Sequence, residues 1–262
     1  MYKVFTILIF FMASLMGGEI DTIVAEANQA FEKANELAMS NPSESQEIYE
    51  AVIMKYRFVL EEKKIETSSL HKNLGNAYWF AGDKGRAILH YQRGLHLAPD
   101  NQDLKHNLAF ARSQVVDEIE ESTLQKVVSY LMFWHHWPVS ARMLLLFVFN
   151  SVFFVLCGLL LSRQCRVMKY VRIATGVVAV IFALSLLGNL YNWDNNVDGV
   201  VVAHEVTSRQ GNGHIYESAM NTPLHSGTEF KLLEKRGDWC HIELMDETTC
   251  WLPSTEVDLI LQ

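Results

Sequence analysis

The chain has 262 residues, half of them apolar, with a formal net charge of −8 and a mean hydropathy of +0.07. So acidic a balance argues against a nucleic-acid partner, whose phosphates are neutralised by Lys and Arg. Four cysteines with no C-x-x-C pair argue against a disulfide-dense mini-protein, a zinc ribbon or a thioredoxin-type site.

Residues 1–18 carry Lys3, an apolar run over 4–16 and the small residues Ser14, Gly17 and Gly18, the three-part form of a secretory signal peptide. Thirteen apolar residues reach roughly 20 Å as a helix, short of a ~30 Å hydrocarbon core, so the segment is expected to be removed rather than to span.

Residues 19–122 show apolar positions at helical spacing. The stretch 68–101 places Leu74, Gly75, Tyr78, Ala87, Tyr91, Gly94 and Pro99 in the alternation of large and small residues of a 34-residue helix-turn-helix unit, with Gly82-Asp83 at the turn. This pattern resembles a tetratricopeptide repeat (TPR), His71 standing where a large apolar residue is usual. Tyr56 and Leu60 lie 35 residues before Tyr91 and Leu95, which predicts a preceding helix pair over 25–39 and 45–62, separated by Asn41-Pro42-Ser43. Asn107-Leu108-Ala109 repeats Asn73-Leu74-Gly75, which predicts a further helix over 103–119 with a polar end suited to capping the array.

Stacked helix pairs form a groove that holds a peptide or partner helix. Lys72, Asn76 and Asn107 resemble part of the two-carboxylate clamp of some TPR domains, although the same asparagines are common in repeats that bind no such ligand. His71, His90, His96 and His106 show no H-E-x-x-H spacing and read as packing or solvated side chains. Neither a cofactor nor a metal is expected.

Residues 123–141 turn from amphipathic to aromatic and read as an interfacial helix, with His135-His136 as anchors. Two charge-free runs, 143–161 and 173–190, predict membrane-spanning helices over 142–161 and 173–190. The loop 162–172 carries Arg163, Arg166, Lys169 and Arg172 and is expected in the cytoplasm. Trp134, Trp137, Tyr191 and Trp193 mark the opposite interface. Two crossings return the chain to its starting side, so the segments before and after them are expected to be extracytoplasmic. The small residues Gly158, Gly176, Ala179, Ala183 and Gly188 would permit close helix approach.

Residues 199–262 break into short β-branched runs, GVVVAHEV, GTEFKLLE, WCHIEL, CWLP and VDLILQ, which describe a small all-β barrel. Leu224 to Phe230, then Arg236-Gly237-Asp238-Trp239, then Trp251-Leu252-Pro253 resemble a bacterial SH3-type domain. A hairpin turning near Met245 would set Trp239 opposite Trp251 and Cys240 opposite Cys250. A disulfide between Cys240 and Cys250 then becomes an expectation, two buried thiols being the alternative. Cys157 and Cys165 are expected to stay free.

The fold class expected is therefore a multidomain membrane protein: an all-α TPR solenoid, two transmembrane helices and a small SH3-like barrel. This order of parts, with NLGNAY, AILHY and NLAFAR in the repeats, resembles the BatE-type aerotolerance proteins of bacteria. The resemblance implies an inner-membrane scaffold acting beside membrane proteins with von Willebrand A domains and a MoxR-type ATPase, its two folded parts in the periplasm. Protein partners would bind the TPR groove. The alternative is an envelope sensor whose SH3-like domain takes peptidoglycan or a peptide. No G-x-S-x-G, P-loop or metal signature points to an enzyme.

Overall fold

A computed structural model describes residues 2–117, 119, 126–127, 130, 134, 137, 139–162, 166–190 and 197–261, with the backbone alone at 2–17, 19, 160–162 and 188–190. The expected His135-His136 pair, Arg163, Cys165, Tyr191, Trp193 and most of the 123–141 segment lie outside the described residues. The chain forms two compact units, one from residues 1–119 with 197–262 and one from 120–196.

The first unit begins with five helices: α1 (Tyr2–Leu37), α2 (Pro42–Arg57), α3 (Ser68–Phe80), α4 (Lys84–Leu97) and α5 (Gln102–Arg112). A π-helical turn, Phe58–Glu62, extends α2. Each junction carries its own start signal. Asn41, Thr67, Asp83 and Asn101 accept a hydrogen bond from the backbone N–H three residues on, capping α2 to α5 in turn. Gly82, at φ +86°, makes the reversal between α3 and α4 that a side chain would strain.

Ala27 and Ala34 on α1 are fully buried against α2, and Leu74, Ala77, Ala87, Ile88 and Leu89 form the centre of the α3–α4 pair. Gly75 is required there, because a Cβ would lie 2.6 Å from the Tyr91 ring. The helix pairs thus occur where the periodicity put them. The outer boundaries differ: the first helix was expected over 25–39 but α1 begins at Tyr2 and runs through the leader-like residues, and the last was expected over 103–119 but α5 stops at Arg112, and Ser113 to Asp117 run across to the sheet.

The sheet comprises β1 (Gly199–Val201), β2 (Glu205–Val206), β3 (Leu224–His225), β4 (Glu229–Arg236), β5 (Trp239–Glu243), β6 (Thr249–Pro253) and β7 (Val257–Leu259). Five strands pair antiparallel in the order β6-β5-β4-β1-β7, and β2 pairs with β3 separately. Among the described residues no ladder joins β6 to β7, so the expected closed barrel is an open sheet beside a two-stranded ribbon. Phe230, Cys240, Ile242, Cys250 and Leu252 fill its core.

The sheet is also not a separate domain. Strand β1 is buried throughout: Val201 points into the sheet core while Val200 joins the helical core. Successive strand residues face opposite sides, so an unbroken apolar run is one covered on both faces. Helix α4 supplies the cover. Gly85 N–H donates to Ser226 Oγ at 3.0 Å, and Arg93 donates to the carbonyls of Leu259 and Ile260 at 2.6 and 3.1 Å. The Glu229 carboxylate accepts two bonds from Arg112, at 2.7 and 2.9 Å, and one from Gln92 at 2.6 Å. Asp117 accepts from the backbone N–H of His225 and from Thr228 Oγ1, and lies 2.6 Å from His225 Nδ1.

The second unit contains two helices, α6 (Val139–Ser162) and α7 (Arg166–Leu190). Both are long and apolar enough to cross a membrane. They form an antiparallel hairpin: Arg142 pairs with Ser185, Phe149 stacks on Phe182, and Gly176 receives the Phe153 ring. Gly158 has open space around it and is not part of this contact. Helix α7 starts at Arg166, before the expected 173, so Lys169 and Arg172 lie in its first two turns. Arg142 is buried between the helices, its Nη1 donating to Ser185 Oγ at 2.9 Å.

Candidate functional site

The three sequence-selected groove residues lie together on α3 and α5. Asn76 Oδ1 accepts from Asn107 Nδ2 at 3.0 Å and from Tyr91 Oη at 2.9 Å, and Lys72 Nζ lies 3.0 Å from Asp103 Oδ2. A carboxylate already beside Lys72 opposes the approach of a partner's carboxylate, so this face is a poor clamp in its present arrangement.

A cleft opens instead between α2 and α4, over α3, with a volume of about 810 Å³. Met54 and Arg57 line one wall, Arg86, His90 and Arg93 the other, and Tyr78 the floor. Arg86, His90 and Arg93 recur at i, i+4 and i+7, one face of a helix. That spacing was legible in the sequence; which neighbour it faces was not. Arg57 is paired with Glu61 and Arg86 with Asp83, whereas among the described residues Arg93 donates to backbone carbonyls. Desolvation accordingly lowers the Arg93 pKa, with Asp258 and Glu66 opposing.

Behind the cleft wall lies a polar chain of two buried histidines that ends on an exposed carboxylate. Glu66 Oε1 is 3.0 Å from His71 Nε2, and His71 Nδ1 is 3.0 Å from His90 Nδ1. Tyr78 stacks on His90, ring centroids 5.4 Å apart and planes 6° from parallel. His71, fully buried, occupies the apolar slot of the repeat because its two nitrogens both find partners there. Burial lowers the His71 pKa, with Glu66 opposing. Burial takes His90 well below the ordinary histidine range, and His71, Arg93, Arg57 and Arg86 act in the same direction. Among the described residues, no group of three His, Cys, Asp or Glu side chains is arranged to hold a metal ion.

In the sheet, the expected hairpin register is corrected by two residues. Cys240 lies opposite Leu252, Cys250 opposite Ile242, and Trp251 opposite His241 rather than Trp239. The reason is the turn. Leu244 N–H donates to Thr248 O, and Glu247 takes φ +68°, a three-residue loop centred on Asp246 instead of Met245. Moving the centre by one residue moves every pair by two, which preserves the faces. Cys240 and Cys250 therefore still share the core face, but diagonally, where Cβ atoms are too far apart for a bond that needs about 3.8 Å. Both thiols are free. Burial raises both, Cys250 to about 12.

Trp239 and Trp251 occupy the opposite face. Trp251 stacks on the His241 ring, 4.7 Å away, and has the Arg236 guanidinium over its ring, 5.3 Å from the centroid. Trp239 meets His214 edge-on at 4.9 Å. These two contacts and its burial use the Trp251 ring for packing. Neither a protein-family model nor a curated protein matches this chain.

Proposed function

We propose that the chain is a membrane-anchored protein–protein interaction scaffold of a bacterial envelope, similar in role to BatE-type proteins that act beside von Willebrand A-domain membrane proteins and a MoxR-type ATPase. In this reading α1 to α5 are TPR-type pairs, the sheet is SH3-like, and α6 and α7 cross the inner membrane. The single observation that carries the reading is the cleft between α2 and α4. It is large enough for a short peptide segment, has charged walls and an aromatic floor, and belongs to a stacked-helix array of the kind that holds partners.

Anchoring draws support from connectivity. The α6–α7 hairpin is inserted between two stretches, 1–119 and 197–262, that fold as one unit. A crossing by this pair must therefore be a double one, returning the chain to the side it left. The side itself rests on the leader-like residues 1–18 and on Arg166, Lys169 and Arg172 at the start of α7.

Photocrosslinking in native membranes tests the proposal. A crosslinker at Met54, 68% exposed on the cleft wall, is expected to capture a discrete partner protein, and one at Phe110, 53% exposed on α5, is not. The same adducts from both positions, or none from Met54, would refute it.

A further inference from the structure

The chain Glu66–His71–His90, its two histidines buried and its carboxylate exposed, determines what the cleft wall offers a ligand. A carboxylate accepts, so His71 Nε2 must carry the proton it directs at Glu66. A neutral imidazole has one N–H, which leaves His71 Nδ1 bare. The 3.0 Å contact between the two Nδ1 atoms needs one proton, and His90 must supply it. His90 Nε2 is then the bare nitrogen, on a ring that is nine-tenths buried and lines the cleft. With His71 and His90 between it and the cleft, Glu66 selects the tautomer of the ring that lines it.

One added proton reverses this. It enters at His90 Nε2, the Nδ1 proton of His90 passes to His71 Nδ1, and the positive charge rests on His71 beside Glu66. His90 ends neutral with its proton on Nε2. The groups that bear on the balance are Glu66, which favours the charged state, and Arg57, Arg86 and Arg93, which oppose it; the carboxylates of Glu50, Glu61, Asp83 and Asp258 also line the cleft. Tyr78, stacked on His90, keeps the ring plane fixed through the exchange.

We propose that the cleft is a binding site for a hydrogen-bond-donating group, an N–H or O–H of a bound peptide, at neutral pH, and that one proton taken up through Glu66–His71–His90 converts it to take an acceptor such as a carboxylate. The peptide rests on the scaffold reading above; the relay does not.

The test is side-chain ¹⁵N NMR of histidine-labelled full-length protein in lipid nanodiscs, with acetate as the acceptor probe. At neutral pH the expected spectrum has a pyridine-type Nε2 and pyrrole-type Nδ1 for His90, and the reverse for His71. On acidification His71 should become doubly protonated while the two His90 sites exchange character, and acetate should perturb His90 Nε2 severalfold more strongly than before. Glu66→Gln should move the exchange to lower pH, and His71→Phe should leave His90 a tautomer mixture. A His90 Nε2–H at neutral pH, or acidification that leaves the His90 sites unexchanged, would overturn the relay. Acetate acting equally on both sides of the exchange would overturn the ligand assignment. If His71→Phe fails to fold, the wild-type and Glu66→Gln spectra decide alone, and they do so whatever the Met54 crosslinker captures.

Discussion

Gly85→Ala gives the packing of the sheet on α4 a test by sign. On an isolated helix the substitution would stabilise by up to about 1 kcal/mol, since glycine loses more backbone freedom than alanine on becoming helical. Here a Cβ at position 85 would lie 2.6 Å from the Val201 carbonyl oxygen and 3.1 Å from Val202 Cα, in addition to meeting Ser226 Oγ. Ser226 could rotate away, but the strand backbone cannot without shifting β1, whose Val200 and Val201 are both fully buried. Overpacking of this kind costs about 1–3 kcal/mol. Displacing Ser226 forfeits its bond from the Gly85 N–H, about 1 kcal/mol more. The net expectation is destabilisation by about 1–3 kcal/mol. Denaturant unfolding of the full-length protein in detergent reads the change, and amide exchange locates it: the Val201 N–H, bonded to Thr228 O at 2.9 Å, should lose protection. A variant more stable than wild type with unaltered Val201 protection would refute the docking.

Three further outcomes are expected. For Asp117, desolvation raises the carboxyl pKa, but bonds from Thr228 and His225 outweigh it, so the folded value lies below the unfolded one. Its contribution is therefore complete above the unfolded value, about 3.9, and lost as pH falls through the folded one; the stability gap between wild type and Asp117→Asn should close in acid. Cys240 and Cys250 should resist alkylation in the folded protein and both react on denaturation without reductant, as burial keeps each thiol protonated and unbonded; failure to label after denaturation would restore the disulfide. In the hairpin, Gly176→Ile should lower the thermal midpoint in micelles because its side chain would strike the Phe153 ring, which lies 3.1 Å from the Cβ position, while Gly158→Ile, with nothing within 4 Å, should not.

What could be read from the residues in order was whatever depends on near neighbours. Asn41, Thr67, Asp83 and Asn101 start helices by bonding three residues ahead, and the charge-free runs marked the apolar stretches of α6 and α7. The placement of Asn76 beside Asn107 followed from the 34-residue repeat, which makes Asn107 the equivalent of Asn73, one helical turn before Asn76. The register of β5 on β6 escaped the same reasoning because a slip of two residues leaves every side chain on its own face, and the alternating pattern is blind to it. The turn distinguishes the two pairings, through the Leu244 N–H bond to Thr248 O and the left-handed Glu247.

Long-range packing decided the rest. GVVVA marks a strand without naming its cover; helix α4, more than a hundred residues earlier, supplies it through Gly85, Gln92 and Arg93. His71 looked like a departure from its repeat until His90 and Glu66 came within 3.0 Å of it. A periodic sequence dictates which face of an element is apolar, because that is a property of the element alone. Which partner meets that face, and therefore which tautomer a buried histidine holds, depends on atoms that the chain brings together only when it closes on itself.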